Sequence, residues 1–173
     1  DGNAQVRNDV NDLMTFIQDC NLATYDHAQC HLDPRNCLYE EAKTILYFGH
    51  ANTNKCRQNN ELYKCQGQCS NDNPFHHYKD NPKVIETQVN RYFSEGYPQN
   101  NGLLSSMVLL RRHNENDCIE TMERWWEEIQ YGSKRDQLSF NYSAWKKSFK
   151  FNYLIGDVRT NDYFLHMGAH TGK

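Results

Sequence analysis

The chain has 173 residues, 38% of them hydrophobic and 13% aromatic, which suffices for the core of one folded domain spanning 1–173 and excludes a disordered chain. A formal net charge of −3 leaves no positive excess to release counterions from a phosphate backbone, so non-specific nucleic-acid binding is excluded and any basic site must be local. No apolar run approaches the roughly 18 to 20 residues that cross a bilayer, so no membrane span is expected within these residues.

The chain opens on Asp1-Gly2-Asn3, a carboxylate and an amide oxygen two residues apart around a glycine. Oxygen ligands in that arrangement suit Mg²⁺ or Mn²⁺ shared with a diphosphate, although Asp-Gly-Asn is also ordinary turn chemistry. A start without Met fits a processed form or a piece of something longer, so the lack of a signal peptide says little about location. Val10, Leu13, Met14 and Ile17 recur at helical spacing and predict a first helix from Asn8 or Asp9. Leu22 to Tyr25 reads as a short strand. Pro34 then precedes a helix from about Asn36 to Phe48 carried by Leu38, Ala42, Ile45 and Leu46.

Residues 50–82 are polar, rich in Asn, Gln and Cys and without periodicity, and read as a loop-like insertion. Seven cysteines form an odd set. Buried free thiols are one reading, while Cys56, Cys65 and Cys69 with His76 and His77 have the residue types for zinc or for a disulfide within the loop. Val84, Ile85, Val89, Tyr92 and Phe93 restore a helix that ends at Gly96 and Pro98. Leu103 to Leu110 is a buried strand that delivers Arg111, Arg112 and His113 at its C-terminal end, where open α/β sheets bind ligands and where guanidinium groups match a diphosphate. A solvated strand end is the alternative.

Asp117 and Glu120 have capping-box spacing, and Ile119, Met122, Trp126 and Ile129 give the following helix one apolar face as far as Gly132. Trp125 and Trp126 lie about 100° apart on that helix, so both cannot face the core and one is available to a pocket wall. Ser133 and Asp136 repeat the Ser-x-x-acid signature. They place Lys134, Arg135, Asp136 and Gln137 in a first helical turn, where amide groups are unpaired and the local dipole is positive. Asp136 then has two readings, a cap or a general base and hydroxyl acceptor. Leu138, Tyr142 and Trp145 form the buried stripe of this helix. Phe149, Phe151, Tyr153 and Ile155 alternate as in a strand, and Tyr163 to Met167 predict another. The last residues, His166 to Lys173, offer imidazoles, glycine backbone and a terminal ammonium able to close over a phosphate, or else a frayed tail. A mixed α/β fold follows. The sequon Asn141-Tyr142-Ser143 falls in a predicted helix and is poor evidence for secretion; a cytoplasmic location is expected, with the Golgi lumen as the alternative.

Four blocks carry a resemblance: Asp1-Gly2-Asn3; Arg35-Asn36-Cys37-Leu38-Tyr39-Glu40-Glu41-Ala42; Tyr97-Pro98-Gln99-Asn100-Asn101-Gly102-Leu103; and Trp125-Trp126 with Ser133 through Phe140. Together they resemble a glycosyltransferase family related to a plant and bacterial group that carries a domain-of-unknown-function label and includes proteins linked to turgor regulation and mucilage. The resemblance implies a GT-A type fold, a mixed sheet flanked by helices, here lacking the N-terminal nucleotide-binding part. It implies a nucleotide-diphosphate sugar donor, a glycan or other hydroxyl acceptor, and Mn²⁺ or Mg²⁺. Asp1, Asn3 and the late His166 then fall to the metal and donor phosphates, Asp136 to catalysis, and Gln137 to the sugar and acceptor region. Arg35, Glu40 and Glu41 become pocket walls. Arg111, Arg112, Trp125, Lys134, Arg135 and Lys173 complete the expected donor and acceptor contacts. Residues 50–82 fall outside the resemblance. A non-catalytic carbohydrate-binding or structural module of the same fold is the rival expectation, and a zinc hydrolase built on Cys65, Cys69, His76 and His77 a third.

Overall fold

A computed structural model describes residues 4–59, 78 and 80–167, without the side chains of 53–59. It is a mixed α/β arrangement with two small sheets. Strands β2 (Leu22–Asp26), β3 (Leu104–Arg111) and β4 (Asn152–Leu154) form one sheet in the order β3-β2-β4, with β2 antiparallel to β3 and parallel to β4. Strands β1 (Ala4–Val6) and β5 (Phe164–His166) pair separately and antiparallel.

The central strand is buried on both faces, as strands between two packed layers must be. Ala23 and Tyr25 face a core with Leu13, Ile17, Val108, Leu154 and Phe164, while Leu22 faces another with Leu104, Cys118, Phe140 and Phe149. The second core is covered by helices α3 (Asn116–Tyr131) and α4 (Phe140–Lys146). Helices α1 (Leu38–Asn59) and α2 (Pro82–Ser94) pack together through Ala42, Ile45 and Ile85, and Leu138 closes that contact. Gln137 Nε2 donates to Leu104 O at 3.1 Å and Leu104 N donates to Asn141 Oδ1 at 3.1 Å, so these two side chains occupy the outer edge of β3 where a further strand would otherwise pair.

Several elements differ from the sequence expectation. The first predicted helix is a 3-10 helix, Asn11–Ile17, although Leu13 and Ile17 are buried as the spacing requires. Helix α1 runs to Asn59 and so takes in the beginning of the segment read as a loop; Cys65, Cys69, His76 and His77 and the side chain of Cys56 lie outside the described residues. Asp117 does not cap α3 in a box: its Oδ1 accepts from the amide of Cys118 at 2.8 Å and from Asn21 Nδ2 at 2.8 Å, and the N-cap Glu115 makes no side-chain cap. Strand β4 ends at its buried residue Leu154, and Ile155, expected as its last inward residue, lies beyond it and is 79% exposed. A strand flanked by two cores sends alternate residues into each, so a single apolar phase cannot mark its inside. Gly102 in the Tyr97–Leu103 block has φ +80, and a Cβ there would lie 2.6 Å from the Tyr153 hydroxyl, so both backbone and space require glycine.

Candidate functional site

The turn from Ser133 to Gln137 is built differently from a helix start. Arg135 is extended, with φ −78 and ψ 95, so Ser133 and Asp136 are not one helical turn apart and the expected capping box does not form. A short 3-10 turn, Asp136–Leu138, leads into α4 instead. Ser133 Oγ donates to Asp80 Oδ2 at 2.9 Å and the amide of Lys134 donates to the same oxygen at 2.6 Å, while the amide of Ser133 donates to Gln88 Oε1 at 2.8 Å. The amides of this turn are therefore occupied by the protein's own groups: that of Lys134 by Asp80, that of Ser133 by Gln88 and that of Arg135 by Ser133 Oγ at 3.1 Å.

Asp136 itself is half-buried. Its Oδ1 accepts the amide of Gln137 at 2.9 Å, and it has no ion-pair partner among the described residues. Trp125 holds this turn from below: its indole N–H donates to Asp136 O at 3.1 Å and its ring packs edge-on against Phe140 at 5.0 Å. Trp125 thus buttresses the turn rather than offering an open stacking face, and Trp126 is 62% exposed. Gln137 is equally committed, between Leu104 O and the guanidinium of Arg135. Lys134 is exposed.

A second polar cluster lies at the C-terminal end of the parallel pair β2–β4, the edge where α/β sheets hold ligands. Arg35 Nε donates to Glu41 Oε2 at 2.7 Å, and Nη1 pairs with Asp33; Glu41 sits in the first turn of α1 and is buried. His27, the first residue after β2, is only 4% exposed and its amide is fixed to Leu103 O at 2.8 Å. Its Nε2 faces Arg35 Nη2 at 3.4 Å. Guanidinium only donates, so Nε2 must accept and the ring proton sits on Nδ1. Burial first, and then the Arg35 charge, lower the His27 pKa and keep the ring neutral. Nδ1–H has no partner, which costs about 1–3 kcal/mol for a buried donor until an acceptor arrives.

The turn after β4 closes this cluster. Asp157 pairs with the His31 ring and accepts the amides of His31 and Arg159, each at 2.9 Å. Burial alone would raise the Asp157 carboxyl, but those amides and the His31 ring outweigh it and hold the pKa at about 2. Arg159 Nη1 donates to Cys30 Sγ at 3.3 Å and has no carboxylate partner among the described residues.

Of the sequence-predicted residues, Arg35 and Glu41 are joined here, while Glu40, the residue before Glu41, is exposed on α1. Arg111, Arg112 and His113 are exposed at the other end of the sheet: β3 is antiparallel to β2, so Arg111 pairs with Leu22 and Leu104 with Asp26. Because β3 is bulged between Ser105 and Leu109, the two ends lie only four β2 residues apart, about 13 Å. Asp1, Asn3 and Lys173 lie outside the described residues. His166, however, pairs in register with Ala4, the residue that follows Asp1-Gly2-Asn3. Its half-buried imidazole makes no hydrogen bond or ion pair among the described residues.

Sequence reasoning missed His27, Asp80, Asp157 and Arg159. His27 had a signal, since it lies two residues beyond the predicted strand Leu22 to Tyr25, at the end favoured for ligands; Asp157-Val158-Arg159 had none beyond an acid two residues from a base. It also missed Glu128, the centre of a third cluster. This buried carboxylate receives Tyr92 Oη at 2.6 Å, Gln88 Nε2 at 3.2 Å, Arg124 Nη2 at 2.5 Å and the guanidinium of Arg91. Burial would raise its pKa, but these donors outweigh it and lower it. Comparison with known proteins finds no matching family model, curated protein or solved structure.

Proposed function

We propose that this chain is the acceptor-side portion of a GT-A type glycosyltransferase that moves a hexosyl or deoxyhexosyl group from a nucleotide-diphosphate sugar to a glycan or other hydroxyl acceptor. The observation that supports this reading most is the register of β1 and β5. It sets Ala4, the residue that follows Asp1-Gly2-Asn3 in the sequence, directly across from His166. Carboxylate, amide oxygen and imidazole together suit Mn²⁺ or Mg²⁺, and the His166 ring is free to contribute among the described residues. Asp1, Asn3 and His166 are the residues that would hold the ion. When bound, it supplies positive charge to the departing diphosphate.

The chain's own residues then have distinct tasks. In the transfer the anomeric carbon gains a bond to the acceptor oxygen and loses its bond to the diphosphate, which leaves with the electron pair. The acceptor proton needs a base, and Asp136 is a half-buried carboxylate with no cation committed to it among the described residues. Trp125 and Gln137 fix that carboxylate's backbone. Arg35 and Glu41, joined through Nε and Oε2, take the part of a pocket wall.

Isothermal titration of the protein at its full natural length with UDP and with GDP, each with and without Mn²⁺, tests the reading. The expected result is metal-dependent binding that Asp1→Ala and His166→Ala both remove. Absence of metal-dependent binding for either nucleotide would favour the non-catalytic module instead.

A further inference from the structure

The transferase reading needs a cation for the donor's diphosphate, and the sequence offered Arg111 and Arg112. Both lie at the far end of β3, about 13 Å along β2 from the cluster at the C-terminal end of β2 and β4. Arg35 is at the correct end, but two carboxylates, Asp33 and Glu41, already neutralise it. Arg159 differs from all three.

Its position links the two candidate regions. On one side, Arg159 Nη1 donates to Cys30 Sγ, and the amide of Cys30 returns to His27 O at 3.1 Å. On the other, the next residue, Thr160, bridges to Leu165 of β5, whose neighbour His166 faces Ala4. The nearest acid, Asp157, is committed to His31 and to two backbone amides. A guanidinium whose side-chain acceptor is a neutral thiol therefore lies in the chain of contacts that joins His166 to His27, whose buried Nδ1–H has no acceptor. A half-buried guanidinium without a carboxylate and a buried ring N–H without an acceptor, at one sheet edge, suit a ligand that brings acceptor oxygens.

The geometry points to Arg159, rather than Arg111 or Arg112, as the guanidinium that grips the donor's diphosphate, with the His27 ring N–H as a second donor beside it. This rests on the transferase reading. It assigns the nucleotide-diphosphate end of the site to the turn after β4, and leaves Arg111 and Arg112 as solvated charges.

The test uses the full-length protein treated with phenylglyoxal, which labels exposed guanidinium groups, with and without UDP or GDP plus Mn²⁺, and reads labelling by mass spectrometry. Nucleotide is expected to protect Arg159 at least about 5-fold while Arg111 and Arg112 label equally in both conditions. In parallel, Arg159→Gln is expected to weaken nucleotide binding about 10-fold or more, and Arg111→Gln less than about 2-fold, for a charge-assisted phosphate contact. Protection of Arg111 or Arg112 with Arg159 unprotected would overturn the assignment, and the unmodified sequence suffices for that readout even where a variant folds poorly. Wild-type protein that binds neither nucleotide removes the transferase reading and this assignment with it; wild-type binding with Arg159 labelled equally removes the assignment alone.

Discussion

The polar clusters around Glu128 and around Arg35 use the same residue types, a buried carboxylate with arginine, yet they end in opposite states. Glu128 is saturated: two guanidiniums, a phenol and a carboxamide all point at it, and they tie α2 to α3. The Arg35 cluster is not. It leaves the His27 Nδ1–H without an acceptor and, across the turn after β4, Arg159 without a carboxylate. A closed network fixes packing, whereas an open one at the C-terminal edge of parallel strands is available to a ligand.

Four substitutions test the difference between the two clusters and their surroundings. Glu128→Ala strands Arg91, Arg124 and Tyr92 and is expected to cost about 3–5 kcal/mol of stability in denaturant titration; a cost below 1 kcal/mol would mean that the closed network is not structural. Asp136→Asn is isosteric and keeps an acceptor for the Gln137 amide. It is expected to lower turnover by about 10² with donor affinity nearly intact, and a collapse of donor binding would reassign Asp136 to the donor.

The third contrast is in pH. His27 is neutral in the folded chain with a lowered pKa, so the unfolded chain binds the extra proton first. Its contribution is complete above the unfolded value of about 6.5 and is lost as the pH falls through the lowered folded value. Thermal unfolding of the wild type should lose stability below about pH 6.5 more steeply than His27→Gln does; parallel curves would remove His27 as a buried neutral ring. The smallest effect is expected at the exposed end of β3, where Arg111→Gln should change stability by less than about 0.5 kcal/mol.

Much of the fold was legible in the sequence where one rule decides the outcome. Leu22 to Tyr25, Leu103 to Leu110 and the helix closing at Gly132 each show an apolar run or stripe bounded by a stop signal, and all three elements form. The site was legible in part. Arg35 and Glu41 stand six residues apart, a separation that an N-terminal helix turn closes into an ion pair. The Ser133–Asp136 box misled because its spacing is a helix signal only when the intervening backbone is helical, and Arg135 is extended. Asp80, which takes the amide of Lys134, comes from 54 residues away. Arg111 and Arg112 were placed at a strand's C-terminal end, which was correct. That end is a ligand edge only for parallel strands, and β3 runs antiparallel to β2. Direction of pairing is a tertiary property that no local pattern carries.

Hydrogen–deuterium exchange of the full-length protein, with and without UDP or GDP plus Mn²⁺, distinguishes an open ligand edge from a closed structural network. The account predicts nucleotide-dependent protection in the segments around His27 to Arg35 and around Asp157 to His166, with the Gln88–Tyr92 and Arg124–Glu128 segments unchanged. Protection confined to Arg111–His113 or to the Glu128 network, with the His27 and Arg159 segments unaffected, would contradict it.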